Sequence, residues 1–413
     1  MLAKFRTIYR EFPTRFWIVV GVSFIDGIGA TLLYPFFALY ITQKFNVGMT
    51  VAGAMLAMNS VAGLIGSTIG GALTDKFGRR GIILFGLVFS ALSALALGAV
   101  TKLEVFYGLI VVVGLLGHVA GPAHNAMIAD ILPEEKRPEG FGILRVVGNL
   151  AWIIGPTIAG FMASRSFFSL FVLDAVLSLI TAVVFYRLIP ETKPQPREAT
   201  ERESFLRTLS GYRHVLRDRA FMAFIFACIL MLTVYQQMYN TLSVFLRDEH
   251  GVDPSGYGFL MSSSAILVVL AQFSVTRYIK RFPPLLLMVT ASGFYLVGFT
   301  MYGFVSVYPL FLLAIWIITT GEMVGIPTTQ SLMAAFAPEE MRGRYMAIGG
   351  LGWAVPSMVG PWAAGLILDN YNPNWVWYAG GILCAVAMVA FYGLHLKLGA
   401  RERFRPVPET VPS

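Results

Sequence analysis

The chain has 413 residues, of which 56% are hydrophobic and only 13% are charged, and its mean hydropathy is +0.69. This composition excludes an ordinary soluble domain, in which about a quarter of the residues are charged. The net charge of +8 could indicate a nucleic-acid-binding protein. The two cysteines, Cys228 and Cys384, lie within apolar runs, so neither a disulfide framework nor a metal cluster is predicted.

Apolar segments long enough to cross a bilayer recur along the chain, and we predict twelve membrane helices. Numbered helix 1 to helix 12 in chain order, they cover residues 16–43, 50–74, 82–101, 105–132, 139–163, 167–189, 220–246, 255–280, 284–304, 308–336, 341–368 and 375–397. The predicted domains are an N-terminal six-helix bundle (1–189), a polar, proline-containing cytoplasmic linker (190–219) and a C-terminal six-helix bundle with a cytoplasmic tail (220–413). Residues 205–219 of the linker could form an amphipathic helix on the membrane surface.

The basic residues are concentrated on one side of these helices. If the N-terminus is cytoplasmic, the 31 lysines and arginines lie in or beside cytoplasmic segments, except for Lys44, Lys102, Arg145, Arg165 and Arg247. This asymmetry follows the positive-inside rule and predicts that both termini are cytoplasmic. It also accounts for the net positive charge without nucleic acid as a partner. We therefore expect a multi-pass protein of the inner (plasma) membrane.

The two halves of the chain also repeat. At an offset of 205, residues 117–160 align without gaps on residues 322–365, with 12 of 44 positions identical. The same offset pairs several further positions, including Tyr34 with Tyr239 and Gly53 with Gly258. Since each repeat contains an even number of helices, both halves have the same orientation in the membrane. This predicts an all-α membrane protein of twelve transmembrane helices in two parallel six-helix bundles, with a substrate path between them.

A short loop within residues 70–86, GGALTDKFGRRGIILFG, separates helices 2 and 3. It carries Asp75, Lys76, Arg79 and Arg80, which cannot lie in hydrocarbon, so the loop is placed at the membrane face. Asp75 lies at the C-terminal end of helix 2, where the helix dipole disfavours an anion. We therefore expect Asp75 to have a partner, which is Arg79, Arg80 or the N-terminal end of helix 11.

The counterpart of this loop in the second half has lost its acid and its glycines. In the sequence TRYIKRFPP, Lys280 stands opposite Asp75 and Pro283 stands opposite Gly78. A turn that is needed only for structure should have survived in both halves. The retained copy is therefore predicted to have an asymmetric role.

These features resemble the major facilitator superfamily over essentially the whole chain. The loop resembles the signature of that superfamily between helices 2 and 3, whose positions are occupied by Gly71, Leu73, Asp75, Gly78, Arg79 and Arg80. In helix 5, AWIIGPTIAG resembles the antiporter signature Gly-x-x-x-Gly-Pro-x-x-x-Gly, with Ala151 at the first glycine and matches at Gly155, Pro156 and Gly160. From the residues alone, these glycines and this proline are packing devices.

A third motif favours exporters within the superfamily. Asp26, followed nine residues later by Pro35, resembles the Asp…Pro motif in helix 1 of twelve-helix drug:proton antiporters. The family's arginine near the centre of helix 4 is missing, and helix 4 offers His118 and His124 instead. The resemblance implies that helices 1, 4, 7 and 10 line a central cavity. It also implies that the loop of Gly71, Asp75, Gly78, Arg79 and Arg80, the gating loop, holds the cytoplasmic side closed against helix 11.

Three titratable residues are candidates for proton coupling: Asp26, Glu322 and His118. Asp26 and Glu322 lie near the middle of helices 1 and 10, where an ionised carboxylate costs several kcal/mol unless it is paired, hydrated or protonated. His118 lies in the middle of helix 4, and histidine titrates near physiological pH. The alternative is a hydrogen-bonded helix contact in each case. Asp174 in helix 6 is a weaker candidate, because helix 6 is peripheral in the family.

The candidate substrate contacts are polar or aromatic residues on helices expected to reach the cavity. Helix 7 carries tyrosines and methionines at helical spacing, and such side chains suit variable apolar ligands. For helix 7 the alternative is ordinary helix packing. For Arg145 of helix 5, the alternatives to a substrate contact are extension to the interface and pairing with Asp130. The predicted contacts are Tyr34, Asn125, Arg145, Tyr235, Gln236, Tyr239 and Asn240.

No phosphate-binding loop, nucleophile constellation or metal-ligand spacing occurs in the sequence. We therefore expect neither an enzyme nor a cofactor, and ATP-driven pumping by this chain is not predicted. The favoured hypothesis is a monomeric secondary transporter in the lipid bilayer, a proton-coupled exporter of small amphipathic or drug-like compounds working by alternating access. The alternatives are an uptake symporter or facilitator for a metabolite such as a sugar or organic anion, and a non-transporting sensor.

Overall fold

The computed structural model of the protein describes residues 9, 11–193, 213–338 and 341–401, which form helices and no strands. Twelve helices in this part of the chain are long and apolar enough to cross a membrane, close to their predicted positions. They are α1 Thr14–Phe45, α2 Met49–Phe77, α3 Arg79–Ala99, α4 Leu103–Ile131, α5 Glu134–Ala163, α6 Phe167–Leu188, α7 Arg219–Asn240, α8 Pro254–Ile279, α9 Pro284–Tyr302, α10 Tyr308–Phe336, α11 Arg342–Asn370 and α12 Trp375–Leu398.

Several of these helices are interrupted. A 3-10 turn at Tyr34–Phe36 divides α1, since Pro35 has no backbone N–H to continue the hydrogen-bond ladder. The α-helical part of α4 stops at Gly117 and resumes at Ala120. The sequence predicts one continuous helix 7 over residues 220–246, but regular helix ends at Tyr235 and two short helical segments follow.

The interruption of α7 has a local cause in its glutamine side chains. Gln237 Nε2 donates to the carbonyl of Thr233 at 2.8 Å, and Thr241 Oγ1 donates to Gln237 Oε1 at 2.6 Å. Side chains that bond to nearby backbone groups compete with the helical ladder. A pattern of apolar residues alone does not show this competition, and for this reason the break was not predicted.

The chain forms two compact units. The first contains most of α1 to α6 together with Val252–Ser262, and the second contains most of α7 to α12 together with Gly48–Gly53. Of the predicted surface helix, residues 205–212 lie outside the described residues, and residues 213–217 are helical. Each unit therefore includes the beginning of one helix from the other half of the sequence.

Within the first unit, α1 packs against α5 and α6, and α3 packs against α6. A cluster of buried apolar side chains, including Phe16, Met127 and Phe185, lies among these helices and α4. Within the second unit, α9 packs against α10 and α12, and α7 packs against α11 and α12. Large aromatic side chains such as Tyr295 and Trp377 are fully buried there.

The sequence repeat reappears as a repeated glycine contact. In the first unit, Gly160 of α5 lies so close to Gly258 at the beginning of α8 that a Cβ on either residue would meet the other's backbone. In the second unit, Gly365 of α11 lies even closer to the backbone of Met49 and Thr50 at the beginning of α2. Asp369 also accepts hydrogen bonds from the backbone N–H groups of Met49 (2.9 Å) and Thr50 (2.7 Å).

Candidate functional site

The gating loop forms a short turn between α2 and α3 in the first unit. Gly78, the residue between these two helices, has a φ of +93°, a conformation that an L side chain rarely adopts. A Cβ at this position would also collide with the carboxylate of Glu191. Gly71, by contrast, has open space where its Cβ would be, so the described packing does not require a glycine there.

Glu191, three residues beyond the end of α6, caps the beginning of α3. Its carboxylate accepts hydrogen bonds from the backbone N–H groups of Arg79 (2.9 Å) and Arg80 (3.1 Å), and from those of Thr192 and Lys193 (both 2.9 Å). Burial alone would raise the pKa of Glu191, but these four hydrogen bonds outweigh it and lower the pKa. The sequence places Glu191 in a linker, whereas the structure makes it part of the loop's support.

The two arginines of the gating loop point to different partners. Arg79 Nε lies 2.9 Å from Asp130 Oδ2 at the end of α4, and Arg79 Nη1 lies 4.0 Å from Asp75 Oδ1. Arg80 donates to the carbonyl of Tyr186 at 2.6 Å and lies over its ring. Arg79 is thus the nearer of the two expected arginine partners of Asp75, whose side chain is 83% exposed.

Replacing Gly78 with alanine is expected to destabilise the first unit by about 1–3 kcal/mol, because alanine at this φ is strained and its Cβ displaces Glu191. The measurement is thermal unfolding of the purified protein in detergent. Gly81→Ala is the matched control, since Gly81 lies in α3 with open space at its Cβ position. Equal unfolding temperatures for the two variants would show that Gly78 has no special conformational role.

Glu191→Gln is expected to lower stability by about 1 kcal/mol, the usual contribution of a helix cap. Because the pKa of Glu191 is lowered in the folded protein, this contribution is fully present above the ordinary pKa of glutamate. It is lost as the pH falls through the lowered pKa. Thermal unfolding between pH 7 and pH 3 should therefore bring wild type and variant together at the acidic end. Glu135→Gln, at an exposed site, is the control, and a constant gap at every pH would contradict the assignment.

Asp26 lines a cavity in the first unit with a volume of about 450 Å³. The cavity lies among α1, α3 and α4, and its polar lining comes from Ser23, Asp26, Ser90, His124 and Asn125. The structure therefore brings Asp26 together with Asn125, one of the predicted substrate contacts. Among the described residues, neither a hydrogen bond nor an ion pair joins Asp26 to another side chain.

The two histidines of α4 occupy different surroundings. His124 lines the cavity, and its Nε2 lies 2.9 Å from Ser23 Oγ on α1. His118 lies at the interruption of α4, with Nδ1 2.9 Å from the carbonyl oxygen of Gly114 and its ring beside Gly63 of α2. His124, rather than the predicted His118, is the histidine that shares a cavity with Asp26.

The remaining predicted residues of the first unit lie outside this cavity lining. Tyr34 is 43% exposed at the 3-10 turn, where its ring packs edge-on against Trp152 at 6.1 Å. Arg145 is exposed on α5. Gly155 of the helix 5 motif packs so tightly against Thr31 of α1 that a side chain would overlap it. Gly155 therefore allows α1 and α5 to approach closely.

In the second unit, the predicted tyrosines of α7 form an aromatic cluster. The hydroxyl groups of Tyr235 and Tyr239 lie 2.9 Å apart. The ring of Tyr235 stacks on Tyr295 of α9 with centroids 5.6 Å apart, and it meets Trp353 of α11 edge-on at 6.1 Å. We call Tyr235, Tyr239, Tyr295 and Trp353 the aromatic cluster. Glu322 of α10 interacts electrostatically with Tyr235 and Tyr295.

The amides of α7 are buried beside this cluster. Gln236 is 5% exposed and its Nε2 donates to Ser357 Oγ of α11 at 2.6 Å. Asn240 is 4% exposed and its Nδ2 donates to the carbonyl of Gln236 at 3.0 Å. Both predicted contacts therefore lie at the interruption of α7. The hydrogen bonds of these two side chains support the irregular backbone of α7. Irregular backbone at membrane depth is tolerated only where it is surrounded by protein or lines a cavity.

The chain matches the family model described as the Major Facilitator Superfamily over residues 19–318 and 237–412. It is 25% identical over 357 residues to the "Na(+), Li(+), K(+)/H(+) antiporter" of Planococcus maritimus, covering 80% of this chain and 84% of that one. It is 24% identical over 387 residues to "Multidrug resistance protein 1" of Bacillus subtilis (strain 168), covering 90% of this chain and 94% of that one. The fold is similar to that in the crystal structure of a POT family transporter in complex with 5-aminolevulinic acid. The comparison gives a TM-score of 0.79 at 15% sequence identity and covers 93% of this chain and 96% of that one.

Proposed function

This chain belongs to the Major Facilitator Superfamily, and we propose that it is a proton-coupled exporter of small amphipathic or drug-like compounds. Membership in this family makes it a transporter with twelve transmembrane helices and not an enzyme. The two relatives described above support antiport and drug efflux as the finer assignment, since one is named an antiporter and the other a multidrug resistance protein.

The position of Asp26 is the main support for this proposal. Its carboxylate lines a cavity of about 450 Å³ and has no ion-pair partner among the described residues. A carboxylate in such a place is costly when ionised, so it binds a proton readily, and water in the cavity can bring that proton. Binding and release of this proton would bias the two access states only if they differ in proton affinity.

The chemistry of the second unit indicates the substrate class. Glu322 next to the aromatic cluster combines a negative charge with flat rings, an arrangement that attracts cations with an apolar body. We therefore propose amphipathic organic cations as substrates, with Glu322 able to hold either a proton or the cation.

The gating loop is proposed to stabilise the state in which the cytoplasmic side is closed. Its arginines are held by Asp130 and Tyr186, and its backbone is held by Glu191. The exposed carboxylate of Asp75 remains available to approach another helix terminus. In this proposal both termini are cytoplasmic and the protein works as a monomer in the plasma membrane.

A ligand screen on the purified protein tests the substrate class. Tetraphenylphosphonium and ethidium are expected to raise the unfolding temperature, whereas neutral and anionic compounds of similar size are not. The carboxylate of Glu322 is the reason for this difference. Stabilisation by organic anions or sugars, without stabilisation by the cations, would favour an uptake transporter for a metabolite.

A further inference from the structure

Helix α6 carries a buried polar stripe that the proposed function does not use. Asp174, Ser178 and Thr181 follow one another at spacings of four and three residues, so they lie on one face of the helix. Their side chains are 7%, 2% and 0% exposed. Because α6 packs against α1 and α3 in the first unit, this polar face is turned into the unit and not towards lipid.

The carboxylate of Asp174 lies against α1. Its Oδ1 occupies the space that a Cβ on Gly29 would need, so only glycine leaves room for it there. Gly29 is three residues, or about one helical turn, from Asp26. The two carboxylates interact electrostatically. Among the described residues, neither forms a hydrogen bond or an ion pair with another side chain.

A serine pair joins the stripe to the cavity. Ser178 Oγ lies 3.5 Å from Ser90 Oγ of α3, and Ser90 lines the same cavity as Asp26. Hydroxyl groups both donate and accept hydrogen bonds. The polar face of α6 is therefore continuous with the water-accessible lining that reaches Asp26.

Two neighbouring carboxylates in a membrane interior cannot both be ionised without a large cost unless a cation neutralises them. Other titratable groups lie on α1, α6 and the helices packed against them. They include His118 and His124 of α4 and Arg145 of α5, with Arg79, Arg80, Asp130 and Arg187 at the loop end and Tyr40 and Lys44 at the opposite end of α1. Of these, His124 shares the cavity with Asp26 and contacts Ser23.

We propose that Asp26 and Asp174 form a coupled pair that binds and releases protons as one unit, so that Asp174 is a second proton-binding residue. The inference rests on the proposed function, because it extends the proton coupling assigned to Asp26. Coupled groups lose their protons in two steps that belong to the pair and not to either residue. The occupancy of one carboxyl then depends on the other.

The test is an infrared titration of the protonated carboxyl band of the purified protein in liposomes, without substrate. All samples carry Glu322→Gln, so that Glu322 adds no step of its own. This parent should show two steps that Asp174→Asn and Asp26→Asn each reduce to one, at a pH different from either parent step by about one unit or more. Asp248→Asn is the control, since Asp248 is exposed and pairs with the adjacent Arg247. This control should leave both steps unchanged.

The coupling is reciprocal, so replacing either carboxylate must change the proton affinity of the other. If Asp174→Asn does not fold, Asp26→Asn alone still reports whether the remaining step differs from both steps of the pair. A remaining step that coincides with one of the original two in either variant would overturn the pair. That result would leave proton coupling through Asp26 intact, whereas undiminished proton movement in Asp26→Asn during transport would instead overturn the proposed function.

Discussion

Asp26→Asn is expected to reduce substrate-driven proton movement in proteoliposomes by about 10- to 100-fold. Typical coupling free energies between two ligands correspond to factors of this size. Asparagine keeps the size and polarity of the side chain, so the cavity that Asp26 lines remains. It removes only the ability to bind a proton. The measurement is the change in pH inside liposomes containing a fluorescent pH indicator, after addition of a transported cation.

Asp248→Asn is the matched control for this variant. It makes the same chemical change at an exposed carboxylate that pairs with its neighbour Arg247, and proton movement should stay at the wild-type level. Substrate binding by Asp26→Asn should also survive, as judged by thermal stabilisation. Undiminished proton movement in Asp26→Asn would remove Asp26 from the coupling mechanism.

Glu322→Gln is expected to weaken the binding of an amphipathic cation such as tetraphenylphosphonium about tenfold, which corresponds to about 1.4 kcal/mol. The loss follows from removing the negative charge beside Tyr235 and Tyr295 while leaving the rings in place. Binding of a neutral compound of the same shape should be unaffected. Equilibrium binding of both compounds to the purified variant measures the difference.

Glu249→Gln provides the same substitution at an exposed position outside the aromatic cluster, and it should bind both compounds as wild type does. If Glu322→Gln weakened the neutral compound as much as the cation, the carboxylate would have a structural role in the second unit. If neither compound were affected, Glu322 would lie outside the binding site.

The twelve helices could be predicted because the required signal is contained in each segment separately. An apolar run of about twenty residues is long enough to cross a bilayer whatever surrounds it. The offset of 205 that the sequence shows also relates Gly160 to Gly365, and in the structure both glycines pack against the beginning of another helix. Local composition therefore predicted the helices, and the internal repeat corresponds to a repeated contact.

The cap on α3 could not be predicted in the same way. Glu191 is separated from Arg79 by more than a hundred residues, and only the fold brings its carboxylate to the backbone N–H groups of α3. In the sequence it is simply an acid after a proline at the end of an apolar run. Its position a few residues beyond a membrane helix is the one signal that could have indicated a contact.

The choice between His118 and His124 depended on an assumption about α4. Uniform helical spacing places His118 with Gly114, Gly121 and Asn125 on one face, but the structure interrupts the helix between Gly117 and Ala120. The interruption separates the surroundings of His118 from the cavity that Asn125 and His124 line. The burial of Asp174 against α1 is likewise a tertiary feature, which helical spacing within α6 does not show.

Transport in inside-out membrane vesicles tests the central claim, proton-coupled export, most directly. With an imposed gradient that makes the vesicle interior acidic, wild-type protein should accumulate tetraphenylphosphonium inside the vesicles while protons leave, and a protonophore should abolish the accumulation. Asp26→Asn should accumulate at least about tenfold less than wild type. Accumulation that persists without a pH gradient, or movement of substrate and protons in the same direction, would contradict the assignment of a proton-coupled exporter.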